Sequence, residues 1–277
     1  MKKNFFLIGL TIAIIVTSYF LAKSQQGGFC HLNLKINKQA VERVAPEKEN
    51  KSIKDVFALL KVRKDNEARV LTEEILFANP DNIEALWAKA ELLRRSYNLR
   101  EAEKVINKIL EKKLDYLPAL NNLAYIRYKE GKLEGAKKIC DKVLGSKNLD
   151  RENEAFAYLT LGAINGQRTQ DGWLFAKIRY GTQIKCLFLK ACSLAPDLAE
   201  THLALGTFYL KAPAIAGGDL DQAIKELELS LAIAPDFGLA NARLAQAYKK
   251  KGELAKYDFY IERAKKLDPQ NEALSEK

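Results

Sequence analysis

Apolar positions follow three rhythms in turn along this chain. An uncharged run from Asn4 to Ala22 comes first, with an apolar stretch of 18 residues from Phe5 to Ala22. As a helix that stretch reaches about 27 Å, close to the roughly 30 Å hydrocarbon core of a bilayer. Residues 25–50 are polar, hold a Gly pair and one Pro, and keep no sustained period, which reads as a tether. From Ile53 onward the pattern is helical, with regular punctuation. Ala68, Ala102 and Ala136 are 34 residues apart, inside the matching stretches "DNEARVLTEEIL", "YNLREAEKVINKIL" and "GKLEGAKKICDKVL". Pro235 and Pro269 are also 34 apart. A fixed period of this length marks a helix-turn-helix repeat.

The residue types within each period follow from packing. Small residues at two places let the helices of a hairpin approach closely, and large apolar residues fill the space beside them. Proline closes the second helix because it lacks an N–H donor and clashes inside a helix. Each hairpin leaves one apolar face uncovered, so copies must stack. The segment "HLALGTFYLKAPAIAGGDLDQAIKELELSLAIAP" shows the set most fully, with Leu205-Gly206, Tyr209, Gly218, Ala223, Leu227 and Pro235. The last unit offers Leu244-Ala245, Tyr248, Gly252, Ala264 and Pro269, with Tyr257 where a small residue is expected. The unit around Leu161-Gly162 closes on Phe188, Ala191 and Pro196.

These units resemble the tetratricopeptide repeat (TPR). The expected fold is all-α: a superhelix of about six hairpins covering 51–80, 81–115, 116–150, 151–196, 197–235 and 236–270, after an N-terminal anchor helix at 1–24 and a tether at 25–50. The fourth unit carries roughly ten extra residues between Asn165 and Gly181. They read as an elongated second helix that Asp171 would cap, running through Leu174, Phe175, Ile178, Ile184, Leu187 and Phe188. The fifth has about five extra residues around "LKAPAIAGGD", a loop by its Pro213 and Gly217-Gly218. The two enlarged units together would make a ridge or pocket rim, or simply record length drift in loops.

The resemblance implies a concave face lined by the first helix of each hairpin, and ligand-facing positions on those helices. Carried onto this chain they are Trp87, Glu91, Arg94 and Arg95 in the second unit. In the third they are Asn121, Tyr125, Tyr128 and Lys129. Thr207, Gln246 and Lys249 follow in later units. Tyr, Trp, Arg and Asn together suit a protein or extended peptide. The Lys/Asn clamp of chaperone-binding members is not reproduced in order.

Charge adds an orientation. Lys2 and Lys3 before the apolar run keep the N-terminus in the cytoplasm. The repeats then lie outside a bacterial inner membrane, held by a single span or released to the periplasm if the segment is cut after Ala22-Lys23-Ser24. Phe29 is a poor neighbour for lipidation of Cys30. The formal charge of +10 mixes with acidic neighbours at helical spacing and suits a solvated surface. No arginine-aromatic interleaving of the kind single strands need is present, so no nucleic-acid partner is expected.

Chemistry is sparse. Histidine occurs twice, at His31 and His202, and no Ser/His/Asp set, zinc spacing or phosphate loop can be assembled, so no cofactor, metal or enzymatic activity is expected. Cys186 and Cys192 are too far apart on one helix for a disulfide. The expected function is a membrane-anchored interaction scaffold in an envelope assembly, with self-association through the exposed end of the stack a further option. The "APAIAGGDLDQA" segment also resembles the TPR-containing T component of tripartite periplasmic (TRAP) uptake systems. That likeness implies a solute-binding accessory as the alternative.

Overall fold

The computed structural model describes residues 52–171 and 174–276, without the side chains of 170–179 and 182. The anchor at 1–24, the tether at 25–50, Cys30 and His31 lie outside the described residues. Twelve α-helices and two 3-10 turns make up the described part, and no strand occurs among these residues. No helix among them is long and apolar enough to cross a membrane.

The helices pair in sequence. The first hairpin is α1 (Ile53–Lys61) with α2 (Asp65–Ala78), followed by α3 (Ile83–Arg95) with α4 (Leu99–Lys112) and α5 (Leu117–Lys129) with α6 (Leu133–Leu144). Next come α7 (Arg151–Asp171) with α8 (Leu174–Leu194), α9 (Ala199–Lys211) with α10 (Leu220–Ile233), and α11 (Gly238–Lys251) with α12 (Leu254–Leu267). Each second helix also packs on the first helix of the next hairpin. The first helices α1, α3, α5, α7, α9 and α11 touch one another in series and so line one face of the stack.

Local chemistry sets the ends. Ser52 and Asp55 form a reciprocal capping box at α1. Asn82 accepts from the Ala85 amide at 2.9 Å to start α3, and Asp219 accepts from Asp221 and Gln222 to start α10. Pro80, Pro196, Pro235 and Pro269 each stand one residue beyond the capping position of a second helix. Inside the hairpins, Ala68, Ala102, Ala136, Ala191 and Ala223 are fully buried, which lets their helices close up. Cys140 sits among Leu117, Leu120, Ala124 and Val143 in one core cluster. In the last hairpin Tyr257 takes the small-residue place and packs at the edge of the core beside Tyr248 and Leu244.

The fourth hairpin departs from the sequence expectation. Both of its helices run to 21 residues, where only the second was expected to be long. Asp171, assigned as the cap of the second helix, is the last helical residue of the first. No proline interrupts the stretch after Leu161, and Gly162 and Gly166 are accommodated inside the helix. The helical hydrogen-bond ladder therefore continues. In the fifth hairpin the loop holds a 3-10 turn at Ala214–Ala216 closed by Gly217 at φ +91°.

The turns inside the hairpins differ in a telling way. Gly131 and Gly252 take positive φ in the third and sixth, as a left-handed turn requires. In the first and second hairpins the equivalent turns carry Arg63 at φ +64° and Tyr97 at φ +60°. Non-glycine residues in this region bear a strain of about 1 kcal/mol. Both side chains reach the far end of the stack. Arg63 pairs with Glu200 and lies 3.8 Å from the centre of the Phe237 ring. The Tyr97 hydroxyl donates to Asp268 at 2.8 Å. Lys61 pairs with Asp197. The early hairpins thus touch the fifth and sixth directly.

Beyond Pro269 the chain turns back instead of leaving the end of the stack bare. A 3-10 turn at Glu272–Leu274 lies on α11, with Ala273 buried. Gln246 Nε2 donates to the Ala273 carbonyl at 2.8 Å, and Arg243 and Lys211 hold the Glu276 carboxylate.

Candidate functional site

The face lined by first helices encloses a cavity of about 420 Å³ between α1, α3, α5, α7 and the start of α9. Phe57 and Trp87 form one wall, their rings edge to face with centroids 5.4 Å apart. Tyr116 and Phe156 stand on the lining of the same space. The polar lining comes from Glu91, Arg95, Asn121, Asn122, Glu152 and Glu200, with Lys61 at the α1 side.

An ion cluster forms its floor. Glu91 accepts from Arg94 at 2.6 and 2.9 Å and from Arg95 at 2.6 Å. Arg95 also donates to the Leu60 carbonyl at 2.9 Å and to Asp65 at 2.7 Å. Glu200 receives Arg63, with an Arg95 nitrogen 3.8 Å away. Burial alone would raise both carboxyl pKa values; the guanidinium groups overcome it and hold Glu91 and Glu200 below the usual carboxylate range. Arg63 moves the other way: burial and the neighbouring Arg95 lower it. Each charge here has an ion-pair partner, and Arg63 Nε is buried without an acceptor.

Several polar atoms on the lining are not matched. Trp87 Nε1, Asn121 Oδ1 and Asn122 Nδ2 are buried without a hydrogen-bond partner. The orientation of Asn121 is set by its neighbours: its Nδ2 donates to the Asn153 carbonyl at 3.1 Å and to Asn153 Oδ1 at 2.9 Å. Asn153 in turn donates its own Nδ2 to Asp150 at 2.6 Å. This relay leaves the Asn121 carbonyl oxygen as a free acceptor.

Of the expected groove residues, Trp87, Glu91, Arg95 and Asn121 meet at this cavity. Arg94 lies behind Glu91 and stacks over Tyr125 at 4.5 Å, and Tyr125 neighbours Tyr128 at 6.0 Å between centroids. Lys129 and Gln246 engage the C-terminal segment, through Glu272 at 2.7 Å and Ala273 respectively. Lys249 is exposed and stands over the Tyr257 ring at 5.5 Å. Thr207 is half-buried away from the cavity lining. Of the expected pocket rim at 171–180, the side chains of 171–179 lie outside the described residues, and Tyr180 has Arg168 over its ring at 5.1 Å. His202 joins the fifth hairpin to the loop before it: Nδ1 faces Glu226 at 2.7 Å and Nε2 the Pro196 carbonyl at 2.8 Å. Among the described residues no group of three His, Cys, Asp or Glu side chains is placed to hold a metal ion.

Phe57, Lys61, Asn153 and Phe156 were not singled out by sequence reasoning. The signal was available, because they stand on the first helices of the first and fourth hairpins. Glu200 carried no local signal. It reaches the cavity only because the stack curves back on itself.

A family model described as tetratricopeptide repeat matches residues 117–148 and 240–271. These segments coincide with the third hairpin and with the sixth plus the turn behind it. These two hairpins are tetratricopeptide repeats. The TPR stack is similar to the solved structure of TTC0263, a thermophilic TPR protein of Thermus thermophilus. The two share 21% identity over 66% of this chain and 92% of that one, with a TM-score of 0.52. It is also similar to human IFIT1, solved as a dimer with m7Gppp-AAAA, at 17% identity and a TM-score of 0.55. That match covers 80% of this chain and 51% of the IFIT1 chain. Pseudomonas aeruginosa pilF matches at 17% identity over 80% of this chain and 92% of that one, with a TM-score of 0.45. At these identities the structural likeness concerns the TPR fold alone. No curated protein matches the chain.

Proposed function

We propose that this TPR protein is a non-catalytic scaffold, anchored in a bacterial inner membrane by residues 1–24, whose concave cavity receives a segment of a protein partner in an envelope assembly outside the cytoplasm. The observation that carries the binding reading is the set of buried, unpartnered hydrogen-bonding atoms on Trp87, Asn121 and Asn122 around one cavity. An unsatisfied buried polar atom costs about 1–3 kcal/mol. A peptide group supplies both an N–H for Asn121 and a carbonyl for Trp87 or Asn122. The placement is supported by the apolar run after Lys2 and Lys3.

Two experiments test the two halves. Protease added to spheroplasts should digest the chain beyond the anchor; digestion only after the inner membrane is opened overturns the placement. A photo-crosslinking residue at position 87 of the full chain, illuminated in cells, should give a discrete protein adduct. No adduct at 87, with crosslinks only at a surface position such as 104, overturns the cavity as the partner site.

A further inference from the structure

We infer that the concave cavity is a receptor for a lysine or arginine side chain carried on an extended peptide segment. This rests on the groove being the partner-binding face.

The charges around the cavity do not cancel. Around the two adjoining cavities five cations, Lys61, Arg63, Arg94, Arg95 and Arg151, face six carboxylates, on Asp65, Glu91, Asp150, Glu152, Asp197 and Glu200. The first four are committed: Lys61 to Asp197, Arg63 to Glu200, Arg94 to Glu91, and Arg95 to Glu91 and Asp65. Asp150 and Glu152 are left without an ion-pair partner among the described residues. Asp150 is occupied by Asn153, whose amide and Nδ2 both donate to it. Glu152 makes no side-chain hydrogen bond or ion pair among the described residues. It lies on the shared wall of the 420 Å³ cavity and a second one of about 220 Å³, and Arg151 lines only the smaller space. Partial withdrawal from water, with Asp150 and Glu200 nearby, raises the Glu152 carboxyl pKa above its usual range. The protein as a whole has a formal charge of +10, so this negative spot is local.

The remaining lining fits the rest of such a ligand. Phe57, Trp87, Tyr116 and Phe156 present apolar surface for a long aliphatic stem and ring faces for a cation. The Asn121 oxygen, fixed by the Asn153 relay, accepts from a backbone N–H. The side chain of Asn122, 7% exposed and without a partner, offers its amide to a backbone carbonyl, as does Trp87 Nε1. An anion in the larger cavity finds no uncommitted donor charge. An uncharged apolar side chain would leave Glu152 as it is.

The test uses the full chain in nonionic detergent and Gly-Ser-Lys-Ala-Ser-Gly amide carrying fluorescein on its N-terminal amine, with arginine, norleucine or glutamate in the lysine place. Fluorescence anisotropy should show lysine and arginine peptides binding at least tenfold tighter than norleucine, and glutamate weakest. Glu152→Gln, at an exposed position, should erase the lysine-norleucine difference. Asn121→Ala should weaken lysine and norleucine peptides by the same factor. Equal affinity for lysine and norleucine, or full lysine selectivity in Glu152→Gln, overturns the cation site but leaves the groove as a peptide-binding face. No binding of the lysine peptide at millimolar concentration also overturns it. The scaffold reading falls separately, with the crosslink at position 87.

Discussion

Arg63 sits in a strained turn and reaches across to Glu200 and Phe237, so replacing it separates two opposing effects. In Arg63→Ala the left-handed backbone strain stays, because alanine dislikes positive φ as arginine does. What is lost is a pair whose side chains are 11% and 14% exposed. Removing one partner of a buried pair costs about 3–5 kcal/mol, because the other charge stays behind. Here Arg95 remains 3.8 Å from Glu200 and softens the loss. The low end applies, about 3 kcal/mol, with the Phe237 cation–π contact included. Arg63→Gly loses the same contacts but relieves the turn. After the added entropy of the unfolded chain, glycine should be about 0.5–1 kcal/mol more stable than alanine at this position.

Urea unfolding of the full chain in nonionic detergent, followed by far-UV circular dichroism, reads both differences. A double-mutant cycle with Glu200→Gln isolates the pair, with a coupling of about 2 kcal/mol expected from their contact. If Arg63→Ala lies within about 0.5 kcal/mol of the parent and shows no coupling to Glu200, the closure carries no energy and the reasoning fails. A glycine variant less stable than the alanine variant would refute the strain argument alone.

Three other outcomes follow from the packing and the titrating groups. An alanine Cβ at Gly206 would stand 2.8 Å from Leu227 Cγ and 3.2 Å from the Ala223 carbonyl, and one at Gly162 would fall 2.2 Å from the Phe188 ring. Gly206→Ala and Gly162→Ala should each destabilise by about 1–2 kcal/mol despite better helix propensity, and a rise in unfolding midpoint would contradict this. The hydrogen bonds and charges of Arg243 and Lys211 lower the Glu276 pKa to about 2, against partial burial, so the hold on the C-terminal segment is full above the ordinary value of 4.5 and fades as pH falls toward 2. A carboxyl NMR titration should find the Glu276 midpoint near 2, moving up in Arg243→Ala; a parent midpoint near 4.5 would count against the pairing. Burial pushes the Cys140 thiol up to about 12 and that of Cys192 up to about 11, whereas Cys186 is exposed. Brief iodoacetamide treatment mapped by mass spectrometry should mark Cys186 first of these three, and early labelling of Cys140 would show that its helix opens.

The hairpin framework was legible because its signals are local. An alanine recurring every 34 positions is what close helix contact demands, and Ala68, Ala102 and Ala136 are each fully buried. Prolines 196, 235 and 269 mark helix ends by their own covalent chemistry. The boundary inside the fourth hairpin was harder, since nothing between Gln167 and Asp171 breaks a helix and the aspartate could begin one or finish one. Family positions on the first helices led to Trp87, Glu91, Arg95 and Asn121 as neighbours. The partner of Arg63, 137 residues away, could not be read in this way. That distance is spanned by small rotations accumulating from hairpin to hairpin, and no single residue encodes their sum.

Arg63 and Tyr97 also constrain how such a chain could change over generations. A stack whose members meet only adjacent copies can gain or lose one by gene duplication or deletion with little penalty elsewhere. Here a further hairpin inserted between the second and the fifth would carry Glu200 and Asp268 out of reach of both side chains. Arg63 and Tyr97 would be left in costly turns with nothing to hold. The number of hairpins is therefore fixed by contact between non-adjacent members, as the number of staves is fixed in a hooped cask.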